Sequence, residues 1–216
     1  MIRTAPEGRW FIAGAWAIAI ALVIVAVRAG STLWWTVAAA WLAISVWVVA
    51  FFRDPERAWS IGEGIVVAPA DGKVVGLVET DEPAFLGGRA LRISIFMNVF
   101  DCHVNRYPVG GTIDYRHYNH GRFGHAAVEK SSLDNEQSSV GVAAARGKVL
   151  VRQIAGLVAR RIVTDHAVGA SVHQGERLGM IRFGSRVDLF LPVGTRMLVR
   201  TGDTTLAGVT VVAEWS

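Results

Sequence analysis

A glycine–serine pair near the C-terminus, in the run Phe183-Gly184-Ser185-Arg186, has the residue types for a reaction on the chain itself. A serine hydroxyl can attack the carbonyl carbon of the preceding peptide bond when the local turn is strained. Glycine before the serine has no Cβ and admits conformations that other residues resist. The attack needs a base for the hydroxyl proton and donors for the developing oxyanion. The resulting ester can eliminate to dehydroalanine, which hydrolyses to a pyruvoyl group. Two residues alone do not establish this chemistry.

Two further polar residues interrupt apolar sequence and could assist such a serine. Asp71 lies in the run Pro69-Ala70-Asp71-Gly72, and His103 lies in the longer run from Phe96 to Arg106. Each also has a purely structural interpretation. Asp-Gly is a common turn dipeptide, and a histidine in an apolar run is commonly a hydrogen-bonded core residue.

A metal site is not indicated by the histidines. His117, His120 and His125 are close in sequence, but their spacing matches no strong ligand motif. A single cysteine also excludes a multi-cysteine zinc site. We therefore expect no bound metal.

The composition separates the chain into two parts. It is 52% hydrophobic with eight tryptophans, and the excess lies in the first fifty or so residues. Most of the formal charge of +4 also belongs to that part, so the remainder has no concentrated basic stripe of the kind that neutralises phosphates. A nucleic-acid partner is therefore not expected.

Residues 1–53 are predicted to form a membrane hairpin of two helices, at about 10–27 and 33–52. Both stretches are uncharged and approach the ~20 residues that cross about 30 Å of hydrocarbon as a helix. A signal peptide is the competing interpretation of the first stretch, but the second stretch follows at once. Arginines lie outside the hairpin at positions 3, 9, 53 and 57, against Arg28 alone in the turn. The positive-inside bias therefore favours a cell (inner) membrane location with both termini, and the catalytic domain, on the cytoplasmic face.

Residues 54–216 are predicted to form one mainly β domain. Short β-branched runs are separated by turn dipeptides such as Asp71-Gly72 and Gly110-Gly111. No convincing helical stripe appears after residue 60. We therefore expect an antiparallel sandwich or a partly closed barrel, preceded by a transmembrane or membrane-embedded α-helical hairpin.

Three runs taken together resemble the short (archaeal-type) form of the pyruvoyl-dependent phosphatidylserine decarboxylases. They are 69–72, 96–106 and Gly179-Met180-Ile181-Arg182-Phe183-Gly184-Ser185-Arg186-Val187-Asp188, in the same order as in that family. The likeness covers roughly residues 45–215, and a hydrophobic hairpin ahead of the domain is also common there.

The resemblance implies autocatalytic cleavage between Gly184 and Ser185. The products would be a β chain of residues 1–184 and an α chain of residues 185–216 that stay associated, with Ser185 converted to a covalent pyruvoyl group. That cofactor would form a Schiff base with phosphatidylserine at the lipid bilayer and release CO2 and phosphatidylethanolamine. Neither a metal nor pyridoxal phosphate is then expected. The sequence does not specify an oligomeric state, and a homodimer is compatible with it.

The resemblance also implies roles for three other residues. Asp71 matches the family's aspartate associated with self-cleavage, and His103 matches the histidine of the central motif. The long-form pattern has a second histidine where this chain has Arg106. Whether His103 or Asp71 is the base for cleavage is therefore left open, and Arg106 is a candidate for binding the substrate phosphate or carboxylate.

Two other functions remain open at the sequence level. The first is a membrane-tethered serine hydrolase that uses Ser185, His103 and Asp71 on an external acyl group, although no Gly-x-Ser-x-Gly motif surrounds the serine. The second is a noncatalytic module resembling biotinyl or lipoyl carriers, although no Met-Lys-Met attachment site is present.

Overall fold

A computed structural model describes residues 3–121, 135–156, 161–182 and 185–215. The chain divides into two compact units, Met1–Glu56 and Arg57–Ser216. Each unit is described by itself below.

The first unit is a pair of antiparallel helices. A short 3-10 turn, Pro6–Gly8, leads into α1 (Arg9–Ala29), and α2 spans Thr32–Phe51. Gly30 ends α1 in the left-handed conformation at φ +60°, with its N–H bonded to the Ala26 carbonyl, which is a common helix stop. The predicted helical pair is therefore present.

Small residues line the contact between the two helices. Ala15, Ala19 and Ala38 are buried there, and the Trp41 indole and the Ser45 hydroxyl both donate to the Ala15 carbonyl, at 2.9 and 3.1 Å. Small residues allow close approach of helices where lipid supplies no hydrophobic drive. Both helices are long and apolar enough to cross a bilayer, and they expose most of their apolar side chains.

The second unit is built from short antiparallel strands. In chain order, its strands within the described residues are β1 (Ile65–Val67), β2 (Gly72–Glu82), β3 (Gly88–Met97), β4 (Val104–Arg106), β5 (Gly111–Asn119), β6 (Gln137–Ala144), β7 (Gly147–Ala155), β8 (Ile162–Thr164), β9 (Ser171–Val172), β10 (Arg177–Ile181), β11 (Ser185–Pro192), β12 (Arg196–Met197), β13 (Thr204–Thr205) and β14 (Val211–Glu214).

These strands form one large sheet and two small ones. The large sheet has the order β13-β2-β3-β11-β7-β6-β5-β9 and curls into a half-barrel, while the small sheets are β1-β14-β12 and β4-β10-β8. All of the strand pairs are antiparallel. The mainly β, partly closed architecture predicted from the sequence is confirmed.

Strand β11 lies at the centre of the large sheet and is buried on both faces. Val187 and Leu189 point into the main apolar core. On the other face, Arg186 and Asp188 form a buried ion pair at 2.9 Å. Nearby, loss of hydration lowers the pKa of Arg152, an effect that the carboxylates of Glu82 and Asp188 oppose. Alternation along one strand thus separates an apolar interior from a buried charged layer.

Candidate active site

Ser185 is the first residue of β11 and is fully buried. It is paired with Met97 of β3 on one side and with Ala155 of β7 on the other. Its Oγ donates a hydrogen bond to the Met97 sulfur atom at 3.4 Å. Gly184, the other half of the predicted cleavage site, lies outside the described residues.

Asp71 is held at the start of β2 by three hydrogen bonds. Its two carboxylate oxygens accept from the Arg57 guanidinium at 2.6 and 2.7 Å, and Oδ1 also accepts from the backbone N–H of Ala207 at 2.8 Å. The carboxylate is almost completely buried. A two-pronged bond between arginine and a carboxylate fixes the orientation of the carboxylate as well as adding energy.

The sheet register brings Asp71 and Ser185 to the same end of the half-barrel. Lys73, two residues after Asp71, pairs with Phe96 of β3, and the next residue of β3, Met97, pairs with Ser185. One strand therefore separates the two residues, and a spacing of about 10 Å between β2 and β11 follows from ordinary sheet geometry.

His103 is fully buried just before β4, beside the strand that leads towards Ser185. Its carbonyl oxygen accepts from the N–H of Ile181, at the end of β10, at 3.4 Å. Its Nδ1 lies 3.1 Å from the carbonyl oxygen of Asp101. Because a carbonyl oxygen can only accept, Nδ1 carries the hydrogen in this contact. The basic nitrogen of the neutral ring is then Nε2.

Arg106 lies against other partners than the predicted site residues. Its guanidinium stacks over the Trp59 ring at 4.3 Å, and Nη1 donates to the Gly175 carbonyl at 3.3 Å. Neighbouring side chains of a strand point to opposite faces, so the Arg106 side chain points away from the face on which Asn105 contacts Met97.

Three residues without a role predicted from the sequence connect to Ser185: Met97 directly, Asn105 through Met97, and Gln153 through Asn105. Asn105 donates to the Met97 sulfur at 3.6 Å and accepts from Gln153 at 2.8 Å. Gln153 occupies an inward position of β7 between Val151 and Ala155, which are both buried in the core. A polar residue on the apolar face of a strand was the signal available in the sequence.

Glu136 lies two strands from Ser185 on the opposite side from Asp71. Its carbonyl oxygen accepts from the N–H of Ala155, the residue paired with Ser185. Its carboxylate accepts from the Tyr118 hydroxyl and, at 3.3 Å, from the Ile162 N–H. Loss of hydration and the hydrogen bond to the Glu136 carboxylate raise the pKa of Tyr118 to about 12, so its hydroxyl is protonated at neutral pH.

Two cavities have linings that do not include these residues. One of about 590 Å³ lies in the first unit, between the Trp16 and Val46 regions and the Arg3 and Arg53 side chains. Another of about 260 Å³ lies in the second unit beside Gln174. Neither is lined by Ser185, Asp71 or His103, so the candidate site rests on the buried contacts of these residues. Within the described residues, no group of three or more His, Cys, Asp or Glu side chains is arranged to hold a metal ion, and His125 lies outside them.

A family model described as phosphatidylserine decarboxylase matches residues 44–213. The chain belongs to the phosphatidylserine decarboxylase family. The three sequence runs predict a resemblance to this family, and the family match confirms it over most of the chain. The match begins within α2 and includes Asp71, His103 and Ser185.

Curated members of the phosphatidylserine decarboxylase family resemble the chain over nearly its whole length. A phosphatidylserine decarboxylase proenzyme of Azorhizobium caulinodans is 47% identical, over 97% of this chain and 88% of the relative. One of Symbiobacterium thermophilum is 46% identical, over 92% and 93% respectively. One of Ruegeria pomeroyi is 45% identical, over 97% and 94%.

Gly72 is expected to be required for the position of Asp71. Its φ of +144° is rare for other residues, and a Cβ would lie 2.2 Å from the carbonyl oxygen of Phe96. Gly72→Ala should therefore lower the free energy of unfolding by more than Gly87→Ala. Gly87 also has a positive φ, of +83°, but a Cβ there meets nothing within 4 Å, so its penalty is conformational strain alone, about 1–3 kcal/mol.

Chemical denaturation of the detergent-solubilised full chain measures both variants. Equal losses for the two glycines would contradict the close packing of Gly72 against β3.

Proposed function

We propose that this chain is a phosphatidylserine decarboxylase that converts phosphatidylserine to phosphatidylethanolamine and CO2, using a pyruvoyl group made from Ser185. The observation that supports this most strongly is the environment of Ser185. Its hydroxyl is buried at the first residue of a strand that is hydrogen-bonded on both sides, in a chain whose family members are named proenzymes.

The first step is an attack of Ser185 Oγ on the carbonyl carbon of Gly184. The hydroxyl proton passes to a base, the C–N bond breaks, and the nitrogen of Ser185 leaves as a protonated amine, so that an ester replaces the amide. Loss of the Ser185 Cα proton then expels the Gly184 carboxylate and leaves dehydroalanine. Water adds to that residue and ammonia leaves, which yields the pyruvoyl group and two chains, 1–184 and 185–216.

His103 is assigned as the base, with Asp71 as a charged residue that Arg57 holds in place. The contact of His103 Nδ1 with the Asp101 carbonyl leaves Nε2 as the nitrogen that accepts a proton. Asp71 already accepts three hydrogen bonds, two of them from a guanidinium. Because both carboxylate oxygens are engaged in this way, Asp71 is assigned an orienting and electrostatic role.

The surroundings of Ser185 fit a carbonyl group derived from that residue. The position is excluded from water and lies against Met97 and Ala155, with the Asn105 amide as a nearby donor. Once formed, the pyruvoyl group supplies an electron sink for the electron pair released in decarboxylation. The ladders of β3 and β7 would hold it, and the apolar walls would exclude water. The stacking of Arg106 on Trp59 favours a supporting role over direct substrate binding.

The two chains would remain associated through sheet pairing. After cleavage, the fragment that begins at Ser185 contributes β11 to β14. Strand β11 pairs with β3 and β7, β13 pairs with β2, and β14 pairs with β1. All four of those partner strands belong to residues 1–184, so separation would expose much of the core.

The N-terminal hairpin is proposed to anchor the enzyme in the inner membrane, with the catalytic unit on the cytoplasmic face. Two exposed apolar helices support membrane association, and the arginines beside the helix ends support this orientation. Such an anchor would hold the site close to its phospholipid substrate.

Replacement of Ser185 tests the pyruvoyl mechanism. Ser185→Ala removes the nucleophile, so the chain should stay intact on a denaturing gel and lose decarboxylation altogether. The wild-type chain should give two fragments by intact mass spectrometry, the smaller of which resists Edman sequencing. Ser94→Ala, a buried serine on β3, should still be cleaved and active.

Wild-type protein that is active but uncleaved would overturn the mechanism. If that intact protein hydrolysed esters instead, the serine hydrolase would be the better assignment.

Replacement of His103 tests the assignment of the base. His103→Ala should slow cleavage by about 10²- to 10⁴-fold, the usual contribution of a positioned general base. The rate is followed by gel densitometry on freshly translated chain. His173→Ala, an exposed histidine, is the matched control and should be cleaved at the wild-type rate. Cleavage of His103→Ala at that same rate would exclude His103 as the base.

Cysteine labelling tests the orientation in the membrane. Thr32→Cys at the start of α2 should react with a membrane-impermeant maleimide in intact cells, whereas Arg200→Cys should react only after lysis. The native Cys102 is buried, which limits background labelling. The reverse pattern would place the catalytic unit on the other side of the membrane.

A further inference from the structure

A row of hydrogen-bonded side chains, half-buried at Thr164 and fully buried at Gln153 and Asn105, ends beside the sulfur partner of Ser185. Ser138 and Thr164 share a hydrogen bond at 2.8 Å, Thr164 donates to Gln153 at 3.2 Å, and Gln153 donates to Asn105 at 2.8 Å. Asn105 and Gln153 are fully buried. Polar side chains in an apolar interior are retained at a desolvation penalty unless they are bonded. Here each polar side chain is hydrogen-bonded to the next one.

This row of hydrogen-bonded side chains fixes the orientation of the Asn105 amide. Its oxygen accepts from the Gln153 N–H, so its NH2 group must point the other way, towards Met97. The Gln153 amide is fixed in turn because its own oxygen accepts from the Thr164 hydroxyl. Each amide is thus oriented by the partner behind it.

The row of side chains ends at a weak acceptor, the Met97 sulfur, to which both Asn105 and Ser185 donate. The Met97 sulfur accepts from Asn105 Nδ2 at 3.6 Å and from Ser185 Oγ at 3.4 Å. A thioether is a poor acceptor, so the Asn105 N–H gains if a better acceptor forms nearby. The two donor atoms lie within two hydrogen-bond lengths of each other because they share one sulfur.

We propose that the Asn105 amide, oriented by Gln153, donates a hydrogen bond to the oxyanion that forms when Ser185 attacks the preceding peptide bond. This inference rests on the self-cleavage in the proposed function and adds a catalytic residue to it. In that step the Oγ–C bond forms, the carbonyl π electrons move to oxygen, and the hydroxyl proton goes to the base. The oxyanion is then two covalent bonds from Oγ. The Asn105 N–H would donate to this charged oxygen in place of the Met97 sulfur. A fixed donor in a dry site is an effective stabiliser of such a charge.

Cleavage of the full-length chain tests the proposal without reliance on decarboxylation. Asn105→Ala removes the donor and should slow formation of the two fragments by about 10²- to 10³-fold, the usual loss for one oxyanion donor. Thermal unfolding, recorded in parallel, identifies any variant that fails to fold.

Asn105→Asp separates a catalytic donor from a structural one. It keeps the shape but replaces the amide NH2 by a carboxylate oxygen, which repels an oxyanion. Burial raises the pKa of a carboxyl group, and the protonated acid regains a donor. The ratio of its cleavage rate to that of the wild type should therefore rise as the pH falls, over a pH range in which both proteins are folded.

Gln153→Leu and Gln174→Leu form the matched pair. Gln153→Leu releases the Asn105 amide from its fixed orientation and should slow cleavage, though less than Asn105→Ala does. Gln174 makes three hydrogen bonds, to Gly62, Ile65 and Pro108, elsewhere in the same unit. Its replacement should leave the cleavage rate unchanged.

The proposal fails if folded Asn105→Ala is cleaved at the wild-type rate, or if the Asn105→Asp ratio does not change with pH. A wild-type chain that is never cleaved would instead refute the proposed function itself, so the two failures are distinguishable.

Discussion

The hydrogen-bonding of β11 on both of its edges is the constraint on which the catalytic unit depends. Eight residue pairs join it to β3 and six join it to β7, so its backbone is held independently of the chain that precedes it. A strand held on both edges can keep its position after the peptide bond before its first residue is broken. The proposed self-cleavage would therefore require no rearrangement of the core, and pairing with β3 and β7 would hold the new terminus at the position of Ser185.

The same sheet also collects the chemical groups at one end. Asp71 precedes β2 on one side of Ser185, and Glu136 precedes β6 on the other, so carboxylates lie two strands away in each direction. Between them lie the main apolar core and the hydrogen-bonded amides of Asn105 and Gln153. The Asp71 and Glu136 carboxylates accept hydrogen bonds from Arg57 and from backbone N–H groups. Electrostatic interactions there are stronger than at the surface.

The motifs predict Ser185, Asp71 and His103 as site residues, but they do not predict the partners of these residues. The sheet register places Ser185 and Asp71 at the same end of the large sheet. Arg106 was chosen for its charge, but its planar guanidinium stacks on Trp59, a contact that no local pattern predicts. Arg57, which binds Asp71, was used only as a charge beside the membrane. Asn105 lies within one of the three family-like runs and Gln153 interrupts an apolar strand, but neither pattern shows that the two amides meet.

The sequence by itself determined the helical pair, the mainly β class and the family, because these depend on composition, periodicity and motifs that are local in the chain. Only the tertiary structure decided which groups meet at Ser185. Its sulfur partner, Met97, is 88 residues away, and the Asn105 amide that points towards that sulfur is held by Gln153, 48 residues further along the chain. Such contacts are set by strand order and register. Both arise from the packing of the whole sheet, so no segment read alone contains them.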